Sequence, residues 1–127
     1  MRGLNSVTLG GNLARDAELK VTQSGSPVLG FTVCVNSTKR VGDEYEDEPN
    51  FVDCVIYGHR AESVARYMTK GTYAALTGRI HQSRWQTREG QSRSKLEVIV
   101  SEIHFESRST QTYQQPEEDV YSEDVPF

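Results

Sequence analysis

Residues 51–68 read FVDCVIYGHRAESVARYM, and the hydrophobic period changes half-way through them. Up to Tyr57 the pattern alternates. Val52, Cys54 and Ile56 share one parity, Phe51, Val55 and Tyr57 the other, and a pleated strand sends the two sets to opposite faces. Beyond Gly58 the apolar residues Ala61, Val64, Ala65 and Met68 fall at i, i+3, i+4 and i+7. That is one stripe of a two-turn helix, with Gly71 after Lys70 as its C-terminal stop.

Working outward, residues 4–10 and 28–36 read as strands. In the second, Leu29, Phe31, Val33 and Val35 alternate with Gly30, Thr32, Cys34 and Asn36, and Ser24-Gly25-Ser26-Pro27 before it is turn chemistry. Residues 37–50 are polar and acidic, end in Pro49-Asn50, and read as a long exposed loop. Downstream, 72–81 and 95–105 are two further strands rich in β-branched residues, joined by a polar hairpin loop over 82–94. The chain is thus all-β with one short helix: three strands, the helix, two strands. This is the element order of the five-stranded oligonucleotide-binding (OB) fold, a partly open Greek-key barrel. An SH3-like barrel has a similar strand count but usually lacks the helix.

The 127 residues amount to one domain. A hydrophobic fraction of 35% is low for a wholly globular chain, so part of it is expected not to fold. That part is 107–127, where only Tyr113, Val120, Tyr121, Val125 and Phe127 are apolar and no period is sustained. Residues 1–106 form the domain and 107–127 a disordered acidic tail. No apolar run approaches the ~18–20 residues that span a membrane, and the start carries neither a signal peptide nor a transit peptide. Cys34 and Cys54 lie inside apolar runs and read as two reduced core thiols of a cytoplasmic protein. The scattered His59, His81 and His104 do not make a metal site, and no cofactor motif is present.

The formal net charge of −4 is unevenly placed. Residues 1–106 hold 13 Lys/Arg and 13 Asp/Glu, whereas 107–127 set Arg108 against Glu117, Glu118, Asp119, Glu123 and Asp124. Five of the body's acids (Asp43, Glu44, Glu46, Asp47 and Glu48) lie in the 37–50 run, and without them the body has a surplus of five basic residues. A mildly basic body with its acid segregated is compatible with a polyanionic ligand.

Three aromatics occupy positions unsuited to a core. Phe51 and Tyr57 have the parity opposite to the core set, and Trp85 stands at the mouth of a polar hairpin with Arg79, Arg84 and Arg88 around it. Exposed rings beside arginines suit single-stranded nucleic acid, because bases stack on rings while guanidiniums track phosphates. The alternative is that the rings pad a second layer of the barrel or a subunit interface.

The run Asn5-Ser6-Val7-Thr8-Leu9-Gly10-Gly11-Asn12-Leu13-Ala14-Arg15-Asp16 resembles the N-terminal signature of bacterial single-stranded DNA-binding proteins (SSB). The likeness continues through Phe51–Ala65, Lys70-Gly71-Thr72-Tyr73, Gly78-Arg79-Ile80, Trp85 and Ile103-His104-Phe105, and so covers about residues 1–106. The ending Ser122-Glu123-Asp124-Val125-Pro126-Phe127 resembles that family's acidic tip.

The resemblance implies an OB barrel that binds and protects single-stranded DNA in replication, recombination and repair, near the nucleoid, as a homotetramer. It implies base stacking by Phe51, Tyr57 and Trp85, and phosphate contacts by Arg2, Lys70, Arg79 and Arg84. It also implies partner recruitment through Glu123, Asp124, Val125, Pro126 and Phe127. Two departures stand out: a further stacking tryptophan of the family is replaced by Lys39 or its neighbour, and the linker before the tip is short. Catalysis is not expected, since the acids at 43–48 have no periodic framework and no nucleophile–base pair or phosphate loop accompanies them. A second alternative is a pure interaction module, against which Trp85 and its arginines speak.

Overall fold

The computed structural model describes residues 3–106. It contains β1 (Val7–Leu13), β2 (Glu18–Val21), β3 (Pro27–Val41), β4 (Glu44–Tyr57), α1 (His59–Ala65), β5 (Tyr73–Gln86) and β6 (Ser92–Glu106). The sheet order is β1-β5-β6-β4-β3-β2, and β1 also pairs with β3. Five strands therefore close a barrel, with β2 as an extra edge strand on β3. All strand pairs are antiparallel except β4–β6, which meet in parallel at Cys54–Val98 and Val55–Ile99.

The N-terminal motif builds the closure. The Asn5 side-chain amide donates to Ile80 O (2.9 Å) and its oxygen accepts from Ile80 N–H (2.8 Å), so it imitates one more ladder step along β5. Val7 and Leu9 pack on the core. At Gly11 the strand passes from β5 toward β3, and an added Cβ would overlap the Cys34 carbonyl. Asn12 then donates to Gly71 O (3.0 Å), and the Asp16 carboxylate accepts from the Lys70 N–H (2.8 Å), tying the entry of β5 to the end of β1.

Leu29, Phe31, Val33, Cys54, Ile56, Ala61, Met68, Leu76, Val98 and Val100 are all buried in one cluster. The alternations read for β3 and β4 are those of the structure. In α1 the apolar stripe is present, with Ala61 buried and Val64 and Ala65 packed on the core. The helix ends at Ala65, however, one turn earlier than its stripe. Tyr67 and Met68 N–H groups bond Val64 and Ala65 carbonyls, three residues back, so Met68 reaches the core from a tight turn. Gly71 is consequently not the helix stop. It sits at φ 91°, where a side chain is strained, and its N–H bonds Leu13 O (2.9 Å) at the start of β5.

Three other expectations are corrected. The first strand occupies 7–13 rather than 4–10, because Asn5 serves as a side-chain clamp. The stretch 37–50 is not a loop: β3 and β4 stay paired from Val35–Asn50 to Val41–Glu44, turning at Gly42 (φ 64°). A ladder needs paired backbone groups rather than apolar side chains, and here Lys39 stands opposite Glu46. Asn50 Nδ2 adds bonds to Val35 O, Ser37 Oγ and Glu48 O. Likewise β5 and β6 remain paired as far as Gln86–Ser92, so the 82–94 loop shrinks to the turn around Gly90 (φ 84°). Two ribbon arms therefore project from the barrel. The expected disorder of 107–127 lies outside the described residues.

Candidate nucleic-acid interface

Strand register decides which side chains share a face. On β4, Cys54 and Ile56 point into the core, so Phe51, Asp53, Val55 and Tyr57 point outward; Phe51 is 65% exposed and Tyr57 51%. The parallel pair Val55–Ile99 carries that outer face onto β6. From Ile99 it continues along the β5–β6 arm through Arg79–Ile99, His81–Glu97, Ser83–Lys95 and Trp85–Arg93. Trp85 is 48% exposed. Phe51, Tyr57, Trp85 and Arg79 therefore share the outward parity of β4, β6 and β5, while Glu97, of the same parity, is buried and accepts from the Ser83 hydroxyl (3.2 Å). At about 3.3 Å per residue, Phe51 and Tyr57 alone are roughly 20 Å apart along the strand.

A bulge makes this alignment possible. Thr77 faces Glu102 while Gly78 faces Val100, so Ser101 is unmatched, and its hydroxyl donates to Thr77 O (3.0 Å). The extra residue reverses the parity of β6. Ile103 and Phe105 pack inward on one side of it, and Val98 and Val100 on the other. Without it, Lys95 and Ile99 would be on the core face.

Lys70 and Phe51 come together: with Asn12, Ala14 and Cys34 they border a shallow cavity of about 560 Å³. Arg84 is placed differently. It pairs with Ser94, so the register puts it on the side of the arm opposite Trp85, and its guanidinium donates to Gln82 Oε1 (2.9 Å). Both residues nevertheless border a cavity of about 470 Å³ near the arm's end, together with Arg93. Lys39 lies on the other, acidic arm, opposite Glu46. Arg2 and the tip residues Glu123 to Phe127 lie outside the described residues.

The cysteines separate. Cys54 is buried, and burial, reinforced by the neighbouring Asp53 carboxylate, pushes its thiol up to about 12, so it stays protonated in the core. Cys34 is not a core thiol. Its parity on β3 sets it opposite Phe51 on the outer face, where it is partly exposed. Sequence reasoning also passed over Arg15, Lys20, Asp53 and Lys95, which border a third recess on this face. The odd parity of Asp53 beside Phe51 and Tyr57 was the available signal; for Lys95 the bulge hid it. Among the described residues no group of three His, Cys, Asp or Glu side chains could hold a metal ion, and no helix is long and apolar enough to cross a membrane.

The model of the Single-strand binding protein family matches residues 4–106. This chain belongs to that family. It is 42% identical over 105 residues to the single-stranded DNA-binding protein of Treponema pallidum, covering 83% of this chain and 59% of that protein. It is 38% identical over 123 residues to the single-stranded DNA-binding protein of Borreliella burgdorferi, covering 96% and 83%. The one from Mycobacterium leprae is 43% identical over 108 residues, covering 81% and 63%. This chain thus spans about three-fifths of the length of two of these relatives. Among solved structures, the Plasmodium falciparum SSB complex with ssDNA superposes with a TM-score of 0.73 at 22% identity, over 84% of this chain and 98% of that one. The likeness confirms the OB barrel. The family is one of non-catalytic DNA-binding proteins, and its model covers the whole described barrel of this one.

Proposed function

We propose that this SSB-family protein binds and protects single-stranded DNA with little sequence preference, in replication, recombination and repair at the nucleoid, and that it performs no catalysis. The observation that carries the reading is the shared outward parity of Phe51, Tyr57 and Trp85, with Arg79 and Arg93 beside them. Three outward rings offer stacking to any base, and the cations offer charge to the phosphates between. Stacking on these rings needs unpaired, unstacked bases, which a duplex keeps inside its helix, so duplex is a poor ligand. Titration with oligo-dT against duplex of the same length tests this reading.

The assembly proposed is a homotetramer of barrels. Ile80 (44% exposed) and Leu96 (59%) have core parity but lie on the arm beyond the core, leaving apolar surface for a second chain to cover. Sedimentation at micromolar concentration is expected to give four chain masses; a stable monomer would contradict it.

The segment Glu123 to Phe127 is proposed as a docking peptide for replication and repair enzymes. Pro126 stiffens the approach of Phe127 to a pocket, and Glu123 and Asp124 complement a basic rim. Deleting Pro126 and Phe127 is expected to abolish pull-down of such enzymes while leaving DNA affinity unchanged. Retained partners, or lost DNA binding, would overturn the assignment.

A further inference from the structure

Tyr45 stands on β4 six residues before Phe51, which itself stands six residues before Tyr57. The β3–β4 register is unbroken from Val28–Tyr57 to Val41–Glu44, so no bulge reverses the faces between them. Tyr45 therefore has the outward parity of both rings, about 20 Å further along the strand from Phe51 at ~3.3 Å per residue. It is 70% exposed, more than any other aromatic side chain among the described residues. Among those residues the stacked pair of rings is Tyr67 with Phe105, so Tyr45 has no aromatic partner. A ring this exposed, near the end of a ribbon arm, adds nothing to the core.

The same register sorts the charges of the arm. Arg40 lies directly opposite Tyr45 and shares its face. Its Nε donates to Gly42 O (3.0 Å), which anchors the guanidinium at the turn and leaves its terminal nitrogens to a ligand. The pairs Thr38–Asp47 and Asn36–Pro49 continue that face toward Phe51. Glu44, Glu46 and Glu48 have the opposite parity, with Lys39 across from Glu46. Three of the five acids in 37–50 thus stand behind the ribbon, while its front sets one cation, Arg40, and one acid, Asp47, beside an open ring.

We infer that the front of the β3–β4 arm is a further single-strand contact, in which Tyr45 stacks on a base and Arg40 holds an adjacent phosphate. The inference rests on the single-strand-binding reading above and deepens it, carrying the strand's path beyond Phe51. Stacking on Tyr45 is open to every base, so the contact adds affinity without sequence preference. The acids behind the ribbon repel a polyanion and so confine the strand to the front of the arm. With Arg40 and Asp47 balanced there, attraction comes from the ring more than from net charge.

The test titrates the full chain with labelled oligo-dT over a series of salt concentrations. Tyr45→Ala is expected to weaken binding about tenfold, the value of one stack, with the salt slope and melting temperature unchanged. Tyr45→Phe is expected to bind like wild type. Arg40→Gln is expected to flatten the slope by roughly 0.7 per barrel. In a Trp85→Phe background, Tyr45→Trp is expected to give emission that oligo-dT quenches. Four results would overturn the inference: Tyr45→Ala within twofold of wild type, Tyr45→Phe as weak as Tyr45→Ala, an unchanged slope in Arg40→Gln, or emission from Tyr45→Trp that ignores DNA. A lower sedimented mass for Tyr45→Ala would overturn it too, making the ring a contact between chains. Failure of wild type to bind oligo-dT would instead overturn the single-strand reading itself.

Discussion

Phe51→Ala combined with Trp85→Ala is expected to weaken oligo-dT binding by about two to three orders of magnitude. Each base–aromatic stack contributes ~1–3 kcal/mol, and 1.4 kcal/mol is a factor of ten. The rings sit on different strands, one on the barrel wall and one on the arm, so their losses should add as those of independent sites do. Both rings are about half exposed or more, and neither belongs to the buried cluster. The melting temperature should therefore stay within a few degrees of wild type, which separates lost binding from lost fold. Because Trp85 is the only tryptophan, the variant is followed by anisotropy of a labelled oligonucleotide. An affinity within threefold of wild type would return these rings to the padding or interface alternative.

Gly78→Val is expected to have the largest effect on stability, about 3 kcal/mol or more. At the bulge, β5 approaches β6 so closely that a Cβ on Gly78 would overlap the Ile99 carbonyl oxygen and crowd Val100 Cα. Those are backbone atoms of a paired strand and cannot swing aside, so the cost falls at or above the usual range for overpacking. For a domain of about 100 residues, this lowers the melting temperature by roughly 10 °C or more. Gly30→Ala is the control, since a Cβ there meets nothing within 4 Å. A Gly78 variant that melts with wild type would mean that the bulge does not fix the alignment of the arm with the barrel.

The barrel was legible because its core strands obey simple alternation. Leu29, Phe31 and Val33 on β3, and Cys54 and Ile56 on β4, are buried where their parity put them. The stacking candidates followed from the same rule, since a strand that buries Cys54 must expose Phe51 and Tyr57. Legibility ended where the backbone, rather than the side chains, carries the structure. In the arm stretches 37–50 and 82–94 only Val41, Tyr45 and Trp85 interrupt the polar residues, so no alternation marks them as strands, yet their ladders run to Val41–Glu44 and Gln86–Ser92. At Ser101 one unmatched residue reverses the faces of β6. Alternation counted back from Ile103 would bury Lys95 and expose Val98, the reverse of what is observed. The basic partners of the rings, Lys95 and Arg93, were therefore passed over, while Arg84, adjacent to Trp85 in sequence, proved to have the opposite parity. The outward parity of Cys34 is legible in its alternation with Val33 and Val35, but an apolar run around a cysteine is equally the mark of a core thiol.

The most direct test of the central claim is a titration of the wild-type chain with oligo-dT, and with duplex of equal length, followed by Trp85 fluorescence over a series of salt concentrations. Strong quenching by oligo-dT is expected, with negligible response to duplex. Log affinity should fall against log salt with a slope near −3 per barrel, from about four neutralised phosphates at roughly −0.7 each. Equal affinity for duplex and single strand, or oligo-dT binding that leaves Trp85 emission unchanged, would contradict the account.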